Sequence, residues 1–169
     1  MITRILTLIF SILLTACAAS GPIYQAAPPP AENHARVYIY RVNTFAAGGR
    51  DAYFYVDKKN IADLSVEGYT WFHVPAGEHT FRQKWPADIG TSSVAINLWR
   101  WSRQGDSDAV NAKNLQEGYV NWEAGKTYYY RFHTNTYGLL GMQWILQEVT
   151  AEQALPEIKK NKLQASFNK

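Results

Sequence analysis

The sequence predicts an all-β fold: an antiparallel β-sandwich of about eight short strands, with a short C-terminal helix behind it and a signal peptide and flexible tether before it. Three observations carry this expectation. Short runs rich in Val, Ile, Tyr, Phe and Trp alternate between apolar and polar residues along the chain. Gly, Pro, Asn and Asp separate the runs, and no helical crossover of the kind a parallel sheet needs lies between them. Hydrophobic residues are 47%, aromatic residues 14% and charged residues 18%, the balance of a chain that buries a strand-built core.

Arg36–Val42 alternates cleanly and reads as the first strand, followed by a loop over 43–50 that holds Gly48 and Gly49. Asp51–Asp57 is the second strand. Asp57, Lys58, Lys59 and Asn60 supply turn residues, and Ile61–Leu64 returns as a short strand. Tyr69–Val74 and Glu78–Trp85 flank Pro75-Ala76-Gly77, where proline sets φ and glycine can take positive φ, so the two runs read as a hairpin. Val94–Trp101 has strand composition, and 103–114 is a polar loop. Gly118–Trp122 and Thr127–His133 form a second predicted hairpin across Glu123–Lys126, and Met142–Val149 is the last strand. Thr150 and Gln153 have the spacing of a capping box, which predicts a helix over Ala151–Leu163 that Pro156 ends or restarts. Lys159, Lys160 and Lys162 suit the negative end of its dipole.

The N-terminus divides from the rest at 16/17. Residues 1–16 carry a positive start at Arg4, an apolar run over Ile5–Leu14 and small residues at Thr15 and Ala16, which matches a cleaved signal peptide and is short of the roughly 20 residues that span a bilayer. Leu14-Thr15-Ala16-Cys17 resembles the bacterial lipobox, in which the cysteine thiol receives a diacylglyceryl group and the new N-terminal amine is acylated after cleavage. Cys17 is the only cysteine, so no intramolecular disulfide can employ it. Two or more acyl chains anchor stably where one does not. Ala18 in place of Asp, by resemblance to enterobacterial sorting, implies the outer membrane. Residues 17–34, with Gly21-Pro22 and Pro28-Pro29-Pro30, read as a lipidated, extended tether, leaving 35–169 as the sandwich domain.

Chemistry is harder to find. The net charge is +3, too weak and too scattered to argue nucleic-acid binding. No nucleophile elbow, zinc-protease helix, P-loop or dinucleotide glycine pattern is present, and no cofactor is expected. His73 and His79 flank the first predicted hairpin turn and could begin a metal site if they faced one another, but no third ligand lies nearby in sequence. Asp57 and Asp63 are a possible carboxylate pair; as turn residues they more simply bond their own backbone. The Tyr128-Tyr129-Tyr130 run assigns Tyr128, Tyr130 and Phe132 to the core and Tyr129, Arg131 and His133 to solvent. Trp85, Trp99, Trp101 and Trp122 have two readings. Trp99 and Trp101 share one face of a strand, and with Arg100 and nearby Arg103 they form either a binding platform for a glycan or protein or a filling between two sheets.

Several motifs recur in a familiar order: Val37-Tyr38-Ile39-Tyr40-Arg41, then Tyr55-Val56-Asp57 with Ile61-Ala62-Asp63-Leu64, then Gly68-Tyr69, Val74-Pro75-Ala76-Gly77-Glu78-His79 and Ala124-Gly125-Lys126-Thr127-Tyr128-Tyr129. From Ala35 to Val149 this order resembles the domain-of-unknown-function family numbered 2846 of bacterial lipoproteins, and the middle portion resembles the surface-anchored β domains called PEGA. The resemblance implies a small β-sandwich and no catalytic residues. The span from Gly77 to Gly125 is longer than usual for the family and is this chain's own feature.

The expectation is therefore a non-enzymatic lipoprotein of the bacterial envelope, anchored in the outer membrane through Cys17. Its partner would be an envelope protein, or alternatively a glycan such as peptidoglycan or lipopolysaccharide; a hydrolase is the third possibility. Mass spectrometry of the mature protein should find an N-terminal Cys17 carrying diacylglyceryl and acyl groups. Cys17→Ser should remain uncleaved and lose the lipid mass. An unmodified terminus beginning after Cys17 would refute the anchor.

Overall fold

The computed structural model describes residues 19–44, 50–84, 117–137 and 141–167. They form nine strands and one helix: β1 His34–Arg41, β2 Ala52–Val56, β3 Lys59–Leu64, β4 Gly68–Pro75, β5 Gly77–Lys84, β6 Glu117–Trp122, β7 Thr127–Tyr137, β8 Gly141–Val149, α1 Ala151–Ile158 and β9 Lys162–Leu163. Two sheets are built from them, a five-stranded one in the order β8-β7-β1-β4-β9 and a four-stranded one in the order β3-β2-β5-β6. Pairing is mostly antiparallel, with β1–β7 and β4–β9 parallel. The predicted all-β sandwich is the fold found.

Alternation places Ala35, Val37 and Ile39 of β1, Phe72 and Val74 of β4 and Tyr130 and Phe132 of β7 on the inner face of the larger sheet. Ala52, Phe54 and Val56 of β2, Phe81 of β5 and Trp122 of β6 meet them from the smaller one. Trp122 is 1% exposed, and its Nε1–H donates to the Tyr130 hydroxyl at 3.0 Å, so the polar edge of the indole is satisfied inside the core. Rings of Phe72, Phe81 and Tyr130 meet it edge-on. Trp122 thus fills space between the sheets, as does Trp144, stacked on Phe132 at 5.2 Å.

The two predicted hairpins are not hairpins. β4 and β5 lie in different sheets, as do β6 and β7. Each turn carries the chain across the gap between the layers, because both flanking strands bury one face in the same core. Gly77 at φ +133° and Gly125 at φ +75° supply the positive φ that these arches need. His73 and His79 are therefore separated onto different sheets. His73 points outward, its Nε2 3.2 Å from the Pro28 carbonyl, while His79 lies on the ring of Trp122 at 5.2 Å.

The stretch read as a free tether is docked from Ala19 onward. The Tyr24 N–H donates to the Asn161 carbonyl, Leu163 N–H to the Pro22 carbonyl, and Ile23 bridges Lys162 beyond the β9 edge. Tyr24 leans on Tyr38 and Tyr69 with ring centroids 6.1 and 5.4 Å away, and the N–H groups of Gln25 and Ala27 donate to the Tyr69 and Tyr38 hydroxyls. The reason lies in β1 and β4, whose outer faces are also aromatic. Tyr38, Tyr40 and Tyr69 are buried there under Ala27 and under Ala154 and Ile158 of α1. Tyr129, expected in solvent, belongs to this layer and stacks on Tyr38 at 5.0 Å. Arg131 is likewise engaged, its Nε donating to Glu157, which also accepts from the Tyr40 hydroxyl.

Helix α1 starts at the predicted capping box, with Thr150 and Gln153 bonded reciprocally, and continues through Pro156 to Ile158. It is shorter than predicted because Lys162–Leu163 leaves it to pair with β4. Ser166 then bridges Ala62 of β3, so the C-terminal residues fasten one sheet to the other.

A Cβ at Gly21 would sit 1.7 Å from the Leu163 carbonyl oxygen. Gly21→Ala should therefore free the docked segment at a cost of about 1–3 kcal/mol. Limited proteolysis within 19–33 should accelerate roughly tenfold or more, and the melting temperature should fall as Tyr38 and Tyr69 lose part of their cover. An unchanged cleavage rate would mean that the segment is not held there.

Candidate functional site

The faces of the two sheets differ. The outer face of the larger sheet is covered at its centre, whereas the outer face of the smaller one carries a surface hollow. On β2 the inward residues are Ala52, Phe54 and Val56, so Tyr53 and Tyr55 point outward. On β5, Phe81 and Gln83 are buried, so Thr80, Arg82 and Lys84 point outward. Register sets Tyr53 opposite Lys84 and Tyr55 opposite Arg82. Tyr55, Lys58, Thr80, Arg82 and Lys84 line an open hollow of about 280 Å³.

Three of those five side chains are cationic and none is a carboxylate. Lys84 Nζ lies 5.3 Å from the centre of the Tyr55 ring, a cation–π distance. Burial raises the Tyr55 hydroxyl above its ordinary pKa, and the nearby Asp63 adds to that, so the phenol stays a neutral donor. On β6, directly opposite Thr80 and on the same face, is Tyr119, which is 79% exposed. A concave basic surface with phenol rings at its floor and rim can hold an anionic ligand by charge and a sugar face by stacking.

One wall is fixed by a tight turn. Asp57 and Lys58 adopt φ of +47° and +69°, a left-handed pair that turns β2 into β3. Asp57 holds this turn by accepting from the Thr80 N–H at 2.9 Å and from His79 Nδ1 at 2.6 Å, while His79 Nε2 lies 2.8 Å from the Pro75 carbonyl. Asp57 is thus spent on structure. Asp63 is likewise engaged, accepting from Asn60 Nδ2 at 2.8 Å, with burial raising its carboxyl. The two carboxylates do not act as a pair.

Buried polar groups sit elsewhere. Arg41, fully buried at the end of β1, donates from Nη1 to the carbonyls of Arg50 and Leu64 and lies 5.6 Å from the Trp144 ring. Burial pulls its guanidinium down to about 10, and Asp51 opposes that. No group of three or more His, Cys, Asp or Glu is placed to hold a metal among the described residues.

Cys17, Trp85, Trp99, Arg100, Trp101 and Arg103, with the strand expected over Val94–Trp101, lie outside the described residues. The hollow itself was missed in sequence because its cations are spread over a turn and one strand. Period-two alternation of Thr80, Arg82 and Lys84 was the available signal.

Burial pushes the Asp57 carboxyl up, but hydrogen bonds from His79 and Thr80 outweigh it and hold the group below its ordinary range. A depressed carboxyl contributes stability above its unfolded pKa of about 3.9 and loses it as pH falls through the lower folded value. Asp57→Asn tolerates the same turn, so it removes mainly charge. It should cost about 0.5–1 kcal/mol near neutrality, small because the carboxylate is half in solvent. The gap between the two proteins' melting temperatures should close below the carboxylate range. A gap independent of pH would refute this role.

A profile of a family described as a protein of unknown function (DUF2846) matches residues 31–141, well over half of the chain. No curated protein and no solved structure matches significantly. With its first strand, both arches and most of both sheets inside the matched region, the chain belongs to the DUF2846 family.

Proposed function

We propose that this protein is a lipoprotein of the bacterial envelope, anchored through Cys17 in the outer membrane, whose β-sandwich is a non-enzymatic binding module for an anionic envelope glycan. The observation that carries the binding half is the convergence of Lys58, Arg82 and Lys84 on one hollow floored by Tyr55. Phosphorylated sugars, such as those of lipopolysaccharide, offer both the charge and the flat apolar face that such a surface favours. Support for the anchor comes from the sequence: the apolar run before Cys17 and the small residues around it. No helix among the described residues is long and apolar enough to cross a membrane, so on this reading the acyl chains are the attachment.

Nothing in this reading needs turnover. Asp57 and His79 are occupied by each other and by the backbone, which suits a rigid rim rather than acid–base chemistry. Binding of purified lipopolysaccharide should be saturable and should weaken with salt. Lys58→Gln/Lys84→Gln should weaken it about tenfold, the loss of roughly 1–2 kcal/mol of charge-assisted contact. Unchanged affinity in a correctly folded double variant would remove the hollow as the site. Co-sedimentation with purified sacculi, unaffected by the same variant, would redirect the assignment to peptidoglycan and away from this face.

A further inference from the structure

The docked N-terminal segment decides how the domain would sit on the bilayer. Three consecutive carbonyls at the start of β4 are held by two separate parts of the chain, the segment at Ala19 and the turn after α1. Val66 accepts from the Ala19 N–H at 3.2 Å, Glu67 from the Lys162 N–H at 2.9 Å, and Gly68 from Asn161 Nδ2 at 3.1 Å. The point where the chain enters the fold and the turn after α1 therefore share one end of the sandwich. Ala19 is only 2% exposed and stands two residues after Cys17, so an anchored cysteine lies within about 7–8 Å of the folded body. No long spacer intervenes.

That end carries Lys159, Lys160 and Lys162, all exposed, none of them ion-paired among the described residues. Beside Lys162, its bridge partner Ile23 is 66% exposed. The acidic side chains near this end are engaged by other groups: Glu67 accepts from Asn43 Nδ2, Asp51 from the Ser65 hydroxyl, and Glu157 from Tyr40 and Arg131. Lysines around an exposed isoleucine, a couple of residues from an acyl anchor, fit a layer of anionic headgroups, which attracts each basic side chain brought within a Debye length.

We infer that the end of the sandwich formed by Ile23, Lys159, Lys160 and Lys162 rests on anionic phospholipid headgroups of the membrane that holds Cys17, fixing the domain's orientation rather than leaving it on a loose tether. This rests on the anchor proposed above. The opposite end, with the Glu123–Lys126 turn beside His34, then points away from the lipid, about 23 Å off along the eight residues of β1.

The test uses the full mature chain with lipidated Cys17, reconstituted in vesicles that carry a headgroup quencher. A single introduced cysteine bears a maleimide fluorophore, either Asn43→Cys at the lipid-facing end or Ala124→Cys at the far end. On vesicles containing phosphatidylglycerol, the label at 43 should be quenched several-fold more than the label at 124. The contrast should shrink in high salt, on pure phosphatidylcholine, and in the Lys159→Gln/Lys160→Gln/Lys162→Gln variant, whose backbone bonds are untouched. Equal quenching at the two ends overturns the orientation, and a contrast indifferent to lipid charge overturns the headgroup contact. Failure of the anchor itself looks different: Cys17 then takes the maleimide, and the protein does not float with any vesicle.

Discussion

The centre of the larger sheet is apolar on both faces, and that constraint organises the rest of the molecule. β1 turns Ala35, Val37 and Ile39 toward the sandwich core and Tyr38 and Tyr40 the other way. Leaving such rings in water would forfeit about 1.5–3 kcal/mol apiece. A second covering layer is required, and the chain makes it from its two ends: α1 from the C-terminal side and the segment from Tyr24 to Ala27 from the N-terminal side. The covering must also satisfy the phenols. Tyr38 and Tyr69 accept backbone N–H groups from Ala27 and Gln25, and Tyr40 donates to Glu157.

One consequence is a division of labour between the sheets. The larger sheet is spent on stability, since both its faces are packed. The smaller sheet keeps one face open, and its outward positions are free to carry Tyr55, Arg82 and Lys84 without disturbing Phe54, Phe81 or Val56 beneath. The C-terminal residues lock this arrangement by pairing first with β4 and then bridging β3. The segment at Ala19 and the turn after α1 meet near the start of β4, where Ala19 and Lys162 bond neighbouring carbonyls.

Much of this was legible in the sequence because strand patterning is local. The runs at Val37–Arg41, Ala52–Val56, Tyr69–Val74 and Thr127–Phe132 are short, rich in β-branched and aromatic residues and bounded by turn residues, and all four are strands. The Thr150 capping box marked the start of α1 for the same reason. The docking of residues 19–28 was not legible. Prolines and alanines there carry no pattern, and what holds them is a set of tyrosines that are distant in sequence. Tyr129 was assigned to solvent on alternation alone; alternation separates two faces but does not say that both are covered.

By itself the sequence determined the strand content, the helix cap, the identity of the turn residues and the anchor signal expected at Cys17, since each depends on side chains within a few positions of one another. Only the tertiary structure decided that Pro75-Ala76-Gly77 and Glu123–Lys126 arch between sheets instead of closing hairpins, and that Trp122 belongs to the core. It also decided that Lys58, Arg82 and Lys84 converge on one hollow. Those outcomes depend on which strands share a core, and burial is a property of the assembled layers rather than of any one segment.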